Sequence, residues 1–340
     1  MIIKKKYAIG AALILMLIFL SSLAFYYHRF SEFIQTPVDP QSDARPFFIK
    51  PGQGLKIIAK NLETDGIISN HTYFTWLARF KKTETRLQAG EYQLSGAHSP
   101  EQILDILLKG KVKLHRVTIP EGLTIVETAK IFENEGFSKA SEFIRLCSDP
   151  SFIQSLGVDA PTLEGYLFPN TYFFPKGTDA QTIISTLVDH LNQVLLTPEW
   201  RVRAKELGFS MFEIITLASI IEKETGDASE RPIISSVFHN RLQINMRLQS
   251  DPTVIYGIKD FDGNIRRIHL NTPTPYNTYQ IKGLPVGPIA NPGALSIQAA
   301  LYPDQTDYLY FVSKKDTTHY FSKTLKEHNR AVRKYQLNKQ

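Results

Sequence analysis

The sequence predicts an α+β protein held to a membrane by one N-terminal helix, with a small βα module followed by a larger mixed domain. Three observations lead there. An uncharged run extends from Tyr7 to Tyr27. A strand-turn-helix pattern occurs twice at a fixed spacing. Beyond it, helix-period and strand-like segments fall in separate runs instead of alternating, which separates α+β from α/β folds.

The first element is the apolar run. It follows Lys4, Lys5 and Lys6 and is closed by His28 and Arg29. About 20 apolar residues at ~1.5 Å each cross a hydrocarbon core ~30 Å thick. The lysines belong on the cytoplasmic side, and Phe25, Tyr26 and Tyr27 at the far interface. The expected location is therefore single-pass in a bacterial cytoplasmic membrane, with everything after Arg29 outside the cytoplasm. A cleaved signal peptide, with Ser22-Leu23-Ala24 as its site, is the competing reading, but a signal core is usually only about 7–15 residues long. The chain carries 39 Lys+Arg against 33 Asp+Glu, a net +6, without the clustered positive stripe of a nucleic-acid binder. One cysteine, Cys147, cannot close an intrachain disulfide.

Residues 30–46 are polar with three prolines between Ser31 and Pro46, and read as a linker. A module over 47–112 begins with the strand Phe47-Phe48-Ile49, a Pro51-Gly52 turn, and Leu55, Ile58, Ala59 and Leu62 at helical spacing up to Gly66. The pattern returns at Val117-Thr118-Ile119-Pro120-Glu121-Gly122 and runs through Ile125, Ala129 and Phe132 to Gly136. Gly52/Gly122, Ala59/Ala129 and Gly66/Gly136 share one offset of 70 residues. The larger domain, 113–340, continues with an aromatic-rich segment from Leu163 to Phe174. Amphipathic helices are expected over 182–195 and 211–225, then a hairpin of Tyr308–Val312 with His319–Phe321, and a basic closing helix from Leu325.

The chain has no G-x-S-x-G, H-E-x-x-H or P-loop motif and no zinc-type Cys/His spacing, so no metal or cofactor is expected and carboxylates remain as the chemistry. In the helix containing Ile214 to Thr225, Glu222 projects at the inner margin of an apolar stripe made by Ile214, Ala218 and Ile221. Desolvation there would hold its proton, as a general acid requires. Glu224 lies at the opposite margin, and residues two apart do not face each other on a helix. Two solvated charges at a helix end fit the same periodicity. The next seventy residues hold several Pro/Gly-rich loops with Asn, Gln, Tyr and Thr, side chains suited to hydroxyls and N-acetyl groups.

Residues 47–112 resemble the LysM-like module of bacterial cell-wall proteins, although the same residues suit generic βα packing. From about Phe47 to Tyr335 the chain resembles the YceG-like family of endolytic murein transglycosylases. The matching segments are Leu163-Glu164-Gly165 with Leu167-Phe168-Pro169, Ala218-Ser219-Ile220-Ile221-Glu222-Lys223-Glu224-Thr225, Ala228-Ser229-Glu230-Arg231, and Met246-Arg247-Leu248-Gln249. Asp251-Pro252-Thr253-Val254-Ile255-Tyr256-Gly257, Tyr276-Asn277-Thr278-Tyr279 and Asn291-Pro292-Gly293 complete them. Departures are Asn170 in place of the family's usual Asp, Val286 within its Gly-Leu-Pro-Pro-Gly-Pro loop, and the lack of a glycine before His319.

The resemblance implies membrane-anchored enzymes that cut nascent peptidoglycan strands internally with one glutamate. The role falls on Glu222, first as acid and then as base, closing a 1,6-anhydro end on N-acetylmuramic acid. Gln249, Tyr276, Asn277 and Thr278 are candidates to bind substrate and stabilise developing charge. Glu164 and Arg247 are expected as a supporting ion pair or as substrate contacts. Glu224 and His319 are further candidates to line the cleft. Alternatives are a hydrolytic muramidase using Asp251 or Glu230 as a second carboxylate, or a non-catalytic wall-binding scaffold. The expected partners are glycan strands, the membrane and peptidoglycan synthesis enzymes, with no nucleic acid.

Overall fold

The computed structural model describes residues 2–50, 52–195, 197–259 and 261–337, with the side chains of 2–12, 194 and 195 excepted, so those of Lys4, Lys5 and Lys6 lie outside the described set. The chain divides into two compact units, one of residues 1–115 with 174–177, the other of 116–173 with 178–340.

In the first unit a long helix α1 (Ile2–Gln35) precedes β1 (Arg45–Ile49), α2 (Leu55–Thr64), α3 (His71–Phe80), β2 (Gly90–Leu94) and α4 (Pro100–Leu108). Strands β1 and β2 pair antiparallel from Arg45↔Leu94 to Ile49↔Gly90. Alternation along β1 sends Phe47 and Ile49 inward and leaves Phe48 exposed, the period-2 pattern of a one-sided strand. Local chemistry sets the helix starts: the Asn70 side chain accepts from the Tyr73 N–H, and Ser99 with Gln102 forms a reciprocal capping box before Pro100 opens α4. Ile58, Leu62, Phe74, Tyr92, Leu94, Ile103 and Leu107 form the core.

Helix α1 corrects the linker expectation. It does not stop at Arg29 but runs two turns further, burying Phe33 in this core with Phe30 and Ile34 packed beside it. Phe30, Phe33 and Ile34 recur at helical spacing, a pattern obscured in the sequence by the prolines that follow. The irregular connection is only residues 36–44. Leu13–Gln35 within α1 is long and apolar enough to cross a membrane.

Strands β3 (Leu114–Thr118) and β4 (Thr171–Pro175) each have residues in both ranges, and the second unit carries α5 (Ile125–Asn134), α6 (Ala140–Leu146), α7 (Pro150–Ser155), α8 (Ala180–His190) and α9 (Pro198–Glu206). These are followed by α10 (Met211–Glu224), α11 (Arg231–Gln243), α12 (Asp251–Tyr256), α13 (Arg267–Asn271), α14 (Ala294–Leu301), β5 (Tyr310–Ser313), β6 (His319–Ser322) and α15 (Leu325–Val332). Strand β3 pairs with β4, and β5 with β6 as an antiparallel hairpin. The 70-residue repeat is real in backbone terms: α2 and α5 begin and end at equivalent positions, Gly52 and Gly122 have φ of 76° and 77°, and Gly66 and Gly136 have φ of 63° and 70°. Only glycine adopts such angles without strain.

Helix α10 is the centre of this unit. Every residue from Ile214 to Ile221 is buried, so it is a core helix wrapped on all sides, not the one-striped helix its spacing suggested. A capping box of Ser210 and Glu213 starts it, and Thr225, in an extended conformation, ends it. Its last turn leaves the core carrying Glu222, Lys223 and Glu224. Cys147 is buried and free.

Candidate active site

The two glutamates of that last turn have different surroundings. Glu222 is clamped. Arg231, at the start of α11, donates from Nη2 to Glu222 Oε1 at 3.1 Å, and the Gly293 N–H donates to Oε2 at 2.9 Å. Its side chain is 7% exposed. The same guanidinium donates to Glu121 Oε2 at 3.3 Å and, through Nε, to Ser296 Oγ at 2.9 Å. Burial beside the Glu222 charge holds the Glu121 carboxyl above the usual carboxylate range, with Arg231 opposing. The neighbouring Lys223 Nζ donates to the Gly122 carbonyl at 3.1 Å. The loop of residues 120–123 is in turn laced to Asn291: the Gly122 N–H donates to the Asn291 carbonyl and the Asn291 N–H to that of Leu123.

Glu224 points elsewhere, into a cleft of about 360 Å³ that it lines with Arg241, Gln249, Asp251, Tyr279, Tyr310 and His328. Ser250 Oγ donates to its Oε1 at 2.6 Å. Burial pushes its carboxyl up to about 7, with the Asp251 charge adding and the Ser250 hydroxyl and Arg241 opposing. Such a group is protonated about half the time at neutral pH and can both give and take a proton. Asp251 accepts from the Tyr279 hydroxyl at 2.7 Å. Arg241 is 7% exposed and fixed by three carbonyls, donating to those of Leu248 and Leu309 at 2.6 Å and of Arg247 at 3.4 Å. Its guanidinium lies over the Tyr310 ring.

The remaining expected site residues divide sharply. Gln249 is exposed in the cleft and holds a left-handed φ of 50°, a conformation a non-glycine residue adopts only when its surroundings impose it. Here the Gln249 N–H is fixed on the Thr278 carbonyl. Thr278 is fully buried and accepts the Ser250 N–H at 2.9 Å, so it orders the residue that holds Glu224. Asn277 is also fully buried, and its amide donates to the carbonyls of His269, Leu270 and Thr272. Neither reaches the cleft surface; both shape the loop behind it. Tyr276 stacks edge-on against Tyr256 at 4.8 Å.

Glu164 is 4% exposed and accepts from the Ile125 N–H and the Tyr256 hydroxyl, both at 3.0 Å, which places it at the N-terminus of α5 and away from the cleft. Burial raises its carboxyl to about 7, with those two donors opposing. Arg247 is exposed, and among the described residues no Glu164–Arg247 ion pair is present. The expected pair is therefore replaced by a buried cap and a free surface cation. His319 gives its backbone N–H and Nδ1 to Glu230 at 2.9 and 2.7 Å, which ties the β5–β6 hairpin to the segment preceding α11. Gly165 packs its backbone where a side chain would lie 2.7 Å from Ile215 and Pro288, a requirement of packing. Ser250, Tyr279, Arg241, Arg231 and Glu121 were not singled out by the sequence reading. Their membership in the matched or adjoining segments was the available signal.

With this geometry in place, the comparisons are specific. The YceG-like family model matches residues 47–334, and the chain belongs to that family. The endolytic murein transglycosylase of Bacillus subtilis is 34% identical over 303 residues, covering 84% of this chain and 83% of that protein. Its namesake from Streptococcus pneumoniae is 30% identical over 318 residues, again 84% of this chain but only 57% of that longer protein. A crystal structure of a yceG-like protein from Listeria monocytogenes superposes with a TM-score of 0.58 at 34% identity, covering 86% of this chain and all of that one.

Proposed function

We propose that this protein is a membrane-anchored endolytic peptidoglycan transglycosylase in which Glu224, not Glu222, is the acid and base. Family membership and the names of the relatives support the reaction class. The observation that carries the assignment is the contrast at the end of α10: Glu222 has both oxygens engaged by fixed donors, while Glu224 lines an open cleft with its carboxyl raised to about 7.

Protonated Glu224 gives its proton to the oxygen between N-acetylmuramic acid and N-acetylglucosamine as that bond to C1 breaks. The resulting carboxylate then takes the proton of the C6 hydroxyl on the same muramic residue, and that oxygen closes on C1. No water enters, and Glu224 ends as it began. Asp251, whose carboxylate faces the same cleft, offers the negative charge that an oxocarbenium-like centre needs, and Tyr279 keeps it oriented. Gln249 is placed to hydrogen-bond the sugar. Glu222, Arg231 and Lys223 fix the turn from which Glu224 projects. The first unit, with its β1-α2-α3-β2 order, is read as a module that holds glycan, and α1 as the anchor that keeps the enzyme at the membrane where synthesis enzymes work.

One observation favours a second reading. Asp251 and Glu224 share a cleft, as the two carboxylates of a hydrolase would. Mass spectrometry of fragments released from purified peptidoglycan separates the two. Anhydro-muramyl ends are expected; reducing ends, heavier by one water, would make the protein a muramidase, and binding without release would make it a scaffold.

A further inference from the structure

The anchor does not simply hang the first unit from the membrane. Helices α1 and α3 pack through aromatic side chains in an antiparallel register: Phe33 meets Tyr73 with ring centroids at 5.5 Å, and Phe30 meets Tyr73 and Trp76 at 5.8 and 6.4 Å. Moving forward along α3 is moving back along α1, toward Phe25, Tyr26 and Tyr27. On α3 the stripe Tyr73, Trp76, Phe80 lies on one face, and on α1 the stripe Phe33, Phe30, Tyr26 does the same, by the i, i+3, i+7 rule. Phe80 is four residues beyond Trp76 and Tyr26 four residues back from Phe30, about 6 Å in each case, so the two stand at one level.

At that level Phe80 is 86% exposed, more than any apolar side chain described in the span, and Trp76 is 49% exposed. The chain turns sharply after Phe80, with Lys82 at a left-handed φ of 54°. The tip therefore presents Phe80 among Arg79, Lys81 and Lys82. Arg79 is paired with Glu84 and Lys81 with Glu101, both at exposed positions, while Lys82 makes no ion pair among the described residues. An exposed aromatic rim bordered by lysines, level with the aromatic end of a spanning helix, matches the headgroup region of a bilayer with anionic lipids.

We propose that the C-terminal tip of α3, Trp76 to Lys82, seats in the membrane interface beside α1, so that the first unit lies against the bilayer in one fixed orientation. The proposal rests on reading α1 as a membrane span. Because Phe33 is buried in the unit's own core, α1 and the unit move as one body, and the seated tip removes the remaining freedom to tilt.

The test uses the full chain reconstituted in vesicles of phosphatidylcholine and phosphatidylglycerol whose acyl chains are brominated near the headgroup. Trp200→Phe leaves Trp76 as the sole indole. Phe80→Trp in a Trp76→Phe/Trp200→Phe background reports the tip, and Leu20→Trp in that background reports the span. Quenching of Trp76 and of the residue-80 indole by roughly half or more is expected, as for interfacial aromatics, with residue 80 the more strongly quenched. Phe80→Asp combined with Lys82→Glu is expected to relieve the quenching of Trp76 at unchanged helicity and melting temperature. A quenched indole at residue 20 with unquenched positions 76 and 80 overturns the docking and leaves the span standing. An unquenched indole at residue 20 removes the span, and the proposal with it.

Discussion

The two sides of one helical turn in α10 have the same chemistry in the sequence and opposite surroundings in space. Glu222 faces Arg231 and the Gly293 backbone, where every lone pair in reach of a donor is used to hold the turn. Glu224 faces a cleft, with one hydroxyl on it and a second carboxylate nearby. A carboxylate saturated with fixed donors is a structural tie, whereas one that is desolvated and lightly bonded is ready to exchange a proton. The difference should therefore appear as stability on one side and as rate and pH dependence on the other.

The largest expected stability effect is at the clamp. Glu222→Ala leaves the buried Arg231 with the half-exposed Glu121 as its remaining ionic partner, and should cost about 3–5 kcal/mol in chemical denaturation. A Glu222→Ala protein as stable as the wild type would show that the clamp does not hold the turn.

Glu224 should behave in the opposite sense. Its folded carboxyl, raised to about 7 from an unfolded value of 4.5, binds its proton more tightly in the native state. Its ionisation then destabilises the fold as pH rises from about 4.5, and the penalty is complete above about 7. Glu224→Gln should thus be more stable than wild type at pH 8, by about 1–3 kcal/mol, with the gap closing toward pH 4.5. Thermal melts across that range would show it, and a gap that widens toward acid would contradict it.

Thr278→Val removes the hydroxyl that accepts the Ser250 N–H in a fully buried position, so about 1–2 kcal/mol is expected together with slower turnover. A sharper test of the cleft is Asp251→Asn. The Asp251 charge helps to raise Glu224, so its loss lowers the Glu224 carboxyl and should move the alkaline fall of the pH–rate profile to lower pH. A profile that stays in place would detach Asp251 from the acid. Arg247→Ala should be nearly silent in stability, within about 0.5 kcal/mol, since the residue is exposed and unpaired with Glu164.

Much of this architecture was legible from short-range pattern. The hairpin near the C-terminus and the helix at Met211–Glu224 follow from spacing within a dozen residues, and the 70-residue repeat from matching one such segment to another. The different surroundings of Glu222 and Glu224 did not, because a helical wheel weighs a residue only against its own helix, and the catalytic role was placed on Glu222 by the family resemblance alone. The partners that distinguish them, Arg231, Ser250 and Gly293, all lie outside α10. The wheel also assumed one buried stripe, whereas α10 is buried all round until its last turn. Asn277 and Thr278 mislead for a related reason. A polar side chain in a loop can bind a sugar or satisfy the loop's own backbone, and only the carbonyls of His269, Leu270 and Thr272 around the Asn277 amide reveal the second role. In α1, Phe30, Phe33 and Ile34 were hidden by a linker-like context although they already carried a helical period.

The most direct test of the central claim counts anhydro-muramyl ends released from purified peptidoglycan by Glu224→Gln and Glu222→Gln, side by side at equal folded fraction. Glu224→Gln is expected to lose about 10²–10⁴-fold in rate, the scale of a lost general acid, while Glu222→Gln keeps turnover within about tenfold of wild type. The reverse order, with Glu222→Gln inert and Glu224→Gln active, would contradict it.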